Sequence, residues 1–89
     1  MDWKIEFSQE AIKQLNRLDK PVRERIFNWL IDRLDNCNNP RHFGEPLSAN
    51  LSGLWRYRIG DYRVICQIDD TKIIVIVLNI GHRRDIYKK

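Results

Sequence analysis

Cysteine, histidine and methionine are scarce in this 89-residue chain, with two cysteines, two histidines and one methionine. Cys37 and Cys66 belong to no CxxC or Cys/His cluster with metal-ligand spacing, which argues against zinc modules and disulfide scaffolds. Free thiols are expected, with neither metal nor cofactor. No apolar run approaches the roughly 20 residues of a membrane-spanning helix. The opening Met1-Asp2-Trp3-Lys4-Ile5-Glu6-Phe7 has no basic region followed by an apolar one, as a secretory signal would. The expectation is a cytoplasmic protein with no membrane partner. P-loop, GxGxxG and HExxH patterns, internal repeats and low-complexity tracts are also missing.

What is present suits a globular chain. A hydrophobic fraction of 43% beside 31% charged residues supplies enough apolar surface to fold, and the length bounds residues 1–89 to one small domain with a thin core. A partner that covers exposed surface would stabilise such a domain. The formal net charge is +4. Residues 1–54 hold eight basic and eight acidic side chains, and residues 55–89 hold eight basic against four acidic. The whole excess therefore sits in the last part of the chain, which points to an anionic partner.

Along the chain, Trp3, Ile5 and Phe7 alternate with Asp2, Lys4 and Glu6, the pattern of a half-buried strand. Ser8 offers an N-cap to a short helix over residues 9–18, with Ala11, Leu15 and Leu18 on one side. Pro21 sits near the start of a second helix that Val22, Ile26, Phe27, Leu30, Ile31 and Leu34 carry to about Asp35. Residues 36–53, rich in Asn, Pro, Gly and Ser, read as a loop held down by Leu47 and Leu51. A loop of that length is either a docking segment or an irregular packed connection.

Two strands joined by Gly60-Asp61 follow, a two-residue turn with glycine first. Counting outward from it pairs Ile59 with Tyr62, Arg58 with Arg63 and Arg56 with Ile65. Alternation puts Trp55, Tyr57, Ile59, Tyr62, Val64 and Cys66 on one side and Arg56, Arg58 and Arg63 on the other. A last strand over residues 72–80, continuously apolar from Ile73 to Leu78, suits a central position buried on both faces, with Asp69-Asp70-Thr71 as its preceding turn. Its antiparallel return would bring Gly81-His82-Arg83-Arg84 beside the hairpin arginines. Directly opposed like charges destabilise a sheet, so Arg58 across from Arg63 suggests an anion that binds both; the alternative is surface arginines whose stems cover the sheet. Guanidinium groups bind phosphate bidentately and stay charged. Alternation turns His82 away from Arg83, and His42 falls in the loop.

The segments Leu51-Ser52-Gly53-Leu54-Trp55-Arg56-Tyr57-Arg58-Ile59-Gly60-Asp61-Tyr62-Arg63 and Gly81-His82-Arg83-Arg84-Asp85-Ile86-Tyr87, with the order strand, helix pair, loop and three strands, resemble the RelE/ParE superfamily of bacterial toxin-antitoxin toxins, specifically its RelE branch. The resemblance covers nearly the whole chain. It implies an α+β domain, β-α-α-β-β-β, whose antiparallel-rich four-stranded sheet carries a helical hairpin on one face and RNA on the other. It also implies a metal-independent, ribosome-dependent endoribonuclease that cuts messenger RNA in the A site by attack of a ribose 2′-OH, inhibiting translation. By position, Arg58, Arg63, Arg83 and Tyr87 take the catalytic places, and Arg56, Arg84 and His82 take RNA-contacting ones. Arg56 and Arg58 stand where the best-described members have lysines, and an always-protonated arginine is a poor general base. The implied partners are a cognate RelB-like antitoxin, the ribosome with its message, and operator DNA only through the toxin-antitoxin complex. The alternative within the superfamily is a ParE-like toxin that poisons DNA gyrase and cleaves nothing.

Overall fold

A computed structural model of the chain describes residues 2–82. The alternating N-terminal segment forms strand β1, Lys4–Phe7, with Trp3 buried just ahead of it and Ile5 and Phe7 packed against the core. Ser8 then caps helix α1, Gln9–Asn16, its hydroxyl accepting from the Ala11 N–H at 3.0 Å. The helix ends two residues earlier than its apolar spacing predicts. Arg17 and Leu18 bond back only three residues, to Gln14 and Leu15, and so tighten the last turn. Helix α2, Lys20–Leu34, starts at Asp19 with Pro21 in its first turn, where a missing N–H costs nothing. It buries Ile26, Leu30 and Leu34 on successive turns of one side, while Phe27 stacks on Phe7 with centroids 5.8 Å apart.

The connection over residues 36–53 corrects the sequence expectation of a plain loop. It contains two single-turn 3₁₀ segments, Pro40–His42 and Ala49–Leu51, and between them a two-residue strand β2, Glu45–Pro46. The sheet accordingly has five strands where the sequence predicts four. β3 is Trp55–Ile59, β4 Tyr62–Asp69 and β5 Ile74–His82. Their order is β1-β5-β4-β3-β2, with β1 parallel to β5 and the other pairs antiparallel. The class is α+β.

Both helices contribute to one core on a single face of the sheet, where Ala11, Leu15, Ile26, Leu30 and Leu34 meet Tyr57, Ile59, Val64, Cys66, Val75 and Val77. β5 is central, as its apolar run predicts, but it alternates between buried Val75 and Val77 and half-buried Ile74 and Ile76. It also starts two residues later than expected, because Asp69 accepts from the Thr71 and Lys72 N–H groups and Ile73 has φ +57.

Near its end β5 carries a bulge. Ile65 pairs with Asn79 and Cys66 with Val77, so Leu78 is the extra residue. Helix α1 satisfies the backbone groups that this step releases. Ser8 donates its hydroxyl hydrogen to the Leu78 carbonyl at 3.0 Å, and Gln14 accepts from the Ile80 N–H while donating to the Asn79 side chain. Ser8 therefore serves helix and bulge together. Ser8→Ala is expected to cost about 1–2 kcal/mol, read as a lower midpoint in urea unfolding. No helix of the described residues is long and apolar enough to cross a membrane.

Candidate functional site

The hairpin has the register counted from its turn. Gly60 adopts φ +59, as the first position of such a turn requires, and Ile59 faces Tyr62, Arg58 faces Arg63 and Arg56 faces Ile65. The helix face receives buried Tyr57, Ile59, Val64 and Cys66 with half-buried Trp55 and Tyr62, and the far face receives the three arginines. Ile65 is also buried, at 4% exposure, yet belongs to the far face, where Arg56 and Asn79 flank it in register. Arginine stems thus border an apolar patch while their heads gather charge.

Sequence reasoning missed Glu45. Pairing of β2 with β3 sets Glu45 directly opposite Arg56, and its Oε2 takes ion pairs from both Arg56 and Arg58, the latter at 2.9 Å. Arg56 is the deeper of the two, with its side chain 19% exposed against 56% for Arg58. Part of the charge that the opposed arginines bring together is therefore balanced from within. The available signal was that Glu45 is the one acidic residue in the otherwise uncharged or basic stretch 36–53. Nothing in its spacing announced a strand. Arg63, on β4, is half-buried and bonds the Tyr62 carbonyl at 3.4 Å.

The end of β5 arrives where the antiparallel return predicts, with Gly81 beside Arg63 and His82 beside Tyr62. His82 takes the helix side of the sheet and meets the Tyr62 ring edge-on at 5.5 Å, so the described structure does not bring it among the arginines. Arg83, Arg84 and Tyr87 lie outside the described residues. His42 is exposed in the first 3₁₀ segment. Among the described residues no group of three or more His, Cys, Asp or Glu side chains could hold a metal ion.

The long connection that delivers Glu45 is fastened at several points. Tyr57 donates its buried hydroxyl to the Pro40 carbonyl at 2.8 Å, and the Trp55 indole donates to the Phe43 carbonyl at 2.7 Å. Burial raises the Tyr57 hydroxyl pKa and likewise that of the Cys66 thiol, which suits both to core roles. Leu47 and Leu51, expected to hold this segment, are only half-buried. Gly44 has φ +75, and a Cβ there would fall 2.3 Å from the Arg56 carbonyl oxygen. Gly44→Ala is expected to cost about 1–3 kcal/mol of stability from backbone strain, with the clash adding to it, and to shift Glu45 away from Arg58. Thermal unfolding and the amide spectrum of residues 43–58 would read both effects.

Fold and hairpin together define a toxin of a type II toxin-antitoxin system. Residues 5–87 match the family described as ParE toxin of type II toxin-antitoxin system, parDE. The chain belongs to that family, and within it to the RelE branch. Toxin RelE of Mycobacterium tuberculosis (strain ATCC 25618 / H37Rv) is 32% identical over 84 residues, which cover 94% of this chain and 84% of the relative. The mRNA interferase toxin RelE of Escherichia coli (strain K12) is 29% identical over 89 residues, covering 93% and 85%. Among solved structures, the toxin-antitoxin complex RelBE2 from Mycobacterium tuberculosis superposes with a TM-score of 0.82 at 27% identity, over 96% of this chain and 95% of its counterpart.

Proposed function

We propose that this toxin is a ribosome-dependent messenger RNA endonuclease of the cytoplasm that cuts in the A site and so inhibits translation. The observation that carries it is the pairing of Arg58 with Arg63 across the hairpin, on the face away from the helices and beside the end of β5. The name of the Escherichia coli relative, an mRNA interferase, supports the same reading.

Attack of a ribose 2′-OH on the adjacent phosphorus, with its proton passing to water, forms a phosphorane with added negative charge; the P–O5′ bond then breaks, the 5′-oxygen takes a proton from water to leave as a 5′-OH, and a 2′,3′-cyclic phosphate remains. Arg58 and Arg63 are suited to bind the phosphate oxygens and stabilise that charge, since guanidinium donors are planar, bidentate and permanently protonated. Arg56, under the ion pair with Glu45, holds its neighbours in place and adds to the field. Arg83 is assigned to the leaving oxygen, Tyr87 to orienting the substrate and Arg84 to RNA contacts, whereas His82, against Tyr62 on the helix side, takes no part in this reading. Charge stabilisation by arginine requires no metal. A RelB-like antitoxin is the proposed restraint, supported by the complexed state of the structural relative, and operator DNA is reached only through that complex.

The test is purified toxin added to ribosomes carrying a defined message, with 5′ ends mapped and 3′ ends checked for cyclic phosphate. Cleavage that requires ribosomes and survives chelation of metal supports the proposal. An intact message, with loss of gyrase supercoiling activity instead, would establish the gyrase-poisoning alternative that the ParE family name keeps in view. Binding of single-stranded RNA should weaken with salt at a log-log slope of about −0.7 per phosphate contact, so a flat response in a filter-binding titration would remove the arginines from the interface.

A further inference from the structure

A strand points successive side chains to opposite faces, so a regular strand keeps its even-numbered residues on one face throughout. β5 does not. Before the bulge, Ile74 and Ile76 pair with Asp69 and Gln67, which share the far face of β4 with Arg63, while Val75 and Val77 enter the core. After it, Asn79 and Gly81 lie opposite Ile65 and Arg63 on the far face, and Ile80 and His82 turn to the helix side. The extra residue Leu78 exchanges odd for even. Without it, Asn79 would enter the core, Ile80 would stand opposite Arg63, and His82 would turn to the arginine face. The bulge therefore decides what lies beside Arg63: a glycine, which leaves space for a phosphate, in place of an isoleucine, which would fill it.

β1 pairs with β5 only as far as Val77, so from Leu78 onward this edge of β5 has no strand neighbour among the described residues. Side chains of α1 take its place. Ser8 bonds the carbonyl of Leu78, the bulge residue itself, whereas Gln14 bonds the first two residues beyond it: Oε1 accepts from the Ile80 N–H, and Nε2 donates to Asn79 Oδ1 at 3.3 Å. Backbone groups alternate in direction as side chains do, so loss of the bulge would turn the Ile80 N–H toward β4 and away from Gln14. Gln14 thus distinguishes the two phases, and the burial of Ile80, 3% exposed, favours the same one. We infer that Gln14 is a positioning residue: by holding the Ile80 N–H it fixes the phase of the end of β5, which sets Gly81 against Arg63 and keeps His82 off the arginine face. Its effect on rate rests on the endonuclease proposal; the phase itself does not.

The test compares the full chain with Gln14→Ala, Gln14→Glu and Ile26→Val, using NMR for the phase and cleavage of ribosome-bound message for the rate. In Gln14→Ala the Ile80 amide should exchange about tenfold faster or more, and the contact between the Tyr62 and His82 rings, whose centroids lie 5.5 Å apart, should weaken. Its kcat should fall about tenfold to a hundredfold, as expected of a small misplacement beside the reacting phosphate, with KM within about twofold of the wild type. Gln14→Glu keeps the acceptor, and the Asn79 amide can turn to donate to it, so this variant should restore both readouts. Ile26→Val trims the core away from the bulge and should leave both unchanged. A protected Ile80 amide with intact ring contact in Gln14→Ala, wild-type kcat in that variant, or losses shared equally by all three variants would overturn the inference. The endonuclease proposal fails separately, on a message that the wild type leaves intact, since the amide and ring measurements decide the phase without RNA or ribosomes.

Discussion

Arg63→Ala is expected to slow cleavage of ribosome-bound message by about 10²–10³-fold, the cost of removing one preorganised donor from developing charge. Arg63 rather than Arg58 is the residue to test first. It sits on β4, between β5 and β3, so its backbone is fixed on both sides. Arg58 lies one strand nearer the edge and shares its charge with Glu45. The same substitution should leave the fold intact, because it also relieves the direct opposition of two like charges across the hairpin. Stability and activity should therefore part, with an unchanged or slightly higher urea midpoint beside a large loss of rate. Arg63→Lys, which keeps charge but loses the planar fork, should fall between. Wild-type cutting by the alanine variant would remove the far face from the chemistry.

The largest effect on stability is expected at Tyr57. Its ring is fully buried, it contacts the Trp29 ring at a centroid distance of 5.6 Å, and its hydroxyl holds the Pro40 carbonyl. Tyr57→Ala should cost about 3–5 kcal/mol through lost transfer energy and the cavity left behind. Tyr57→Phe keeps the ring and strands one buried carbonyl, for about 1–3 kcal/mol. In a domain of this size each kcal/mol lowers Tm by about 4–8 °C, so calorimetry separates the two variants. If the alanine variant were no less stable than the phenylalanine one, packing against this ring would not be what holds the long connection to the sheet.

The elements legible in the sequence are those whose signals are local. Ser8 and Pro21 mark helix starts through backbone chemistry confined to one turn, and Gly60-Asp61 fixes the hairpin register because a two-residue turn leaves no slack. From that register the sorting of Tyr57 and Val64 from Arg56, Arg58 and Arg63 follows by alternation alone. What was not legible depends on partners distant in sequence. β2 is two residues long, too short for any period, and exists because Glu45 and Pro46 lie against Arg56 and Trp55. The bulge at Leu78 depends on Ser8 and Gln14, more than sixty residues earlier. The role of Glu45 was hidden for the same reason, so the hairpin arginines read as unbalanced charge when one carboxylate already lies between two of them.

The parallel pairing of β1 with β5 has a consequence for the order of events during synthesis. Lys4–Phe7 emerges first and, among the described residues, finds its strand partner only in Ile74–Val77. Contacts of such long sequence separation form late and slowly. A nascent chain cannot close this sheet until Ile74–Val77 has left the ribosome. The sheet whose far face bears Arg58 and Arg63 is therefore completed only when β5 joins β1 to the β4-β3-β2 side.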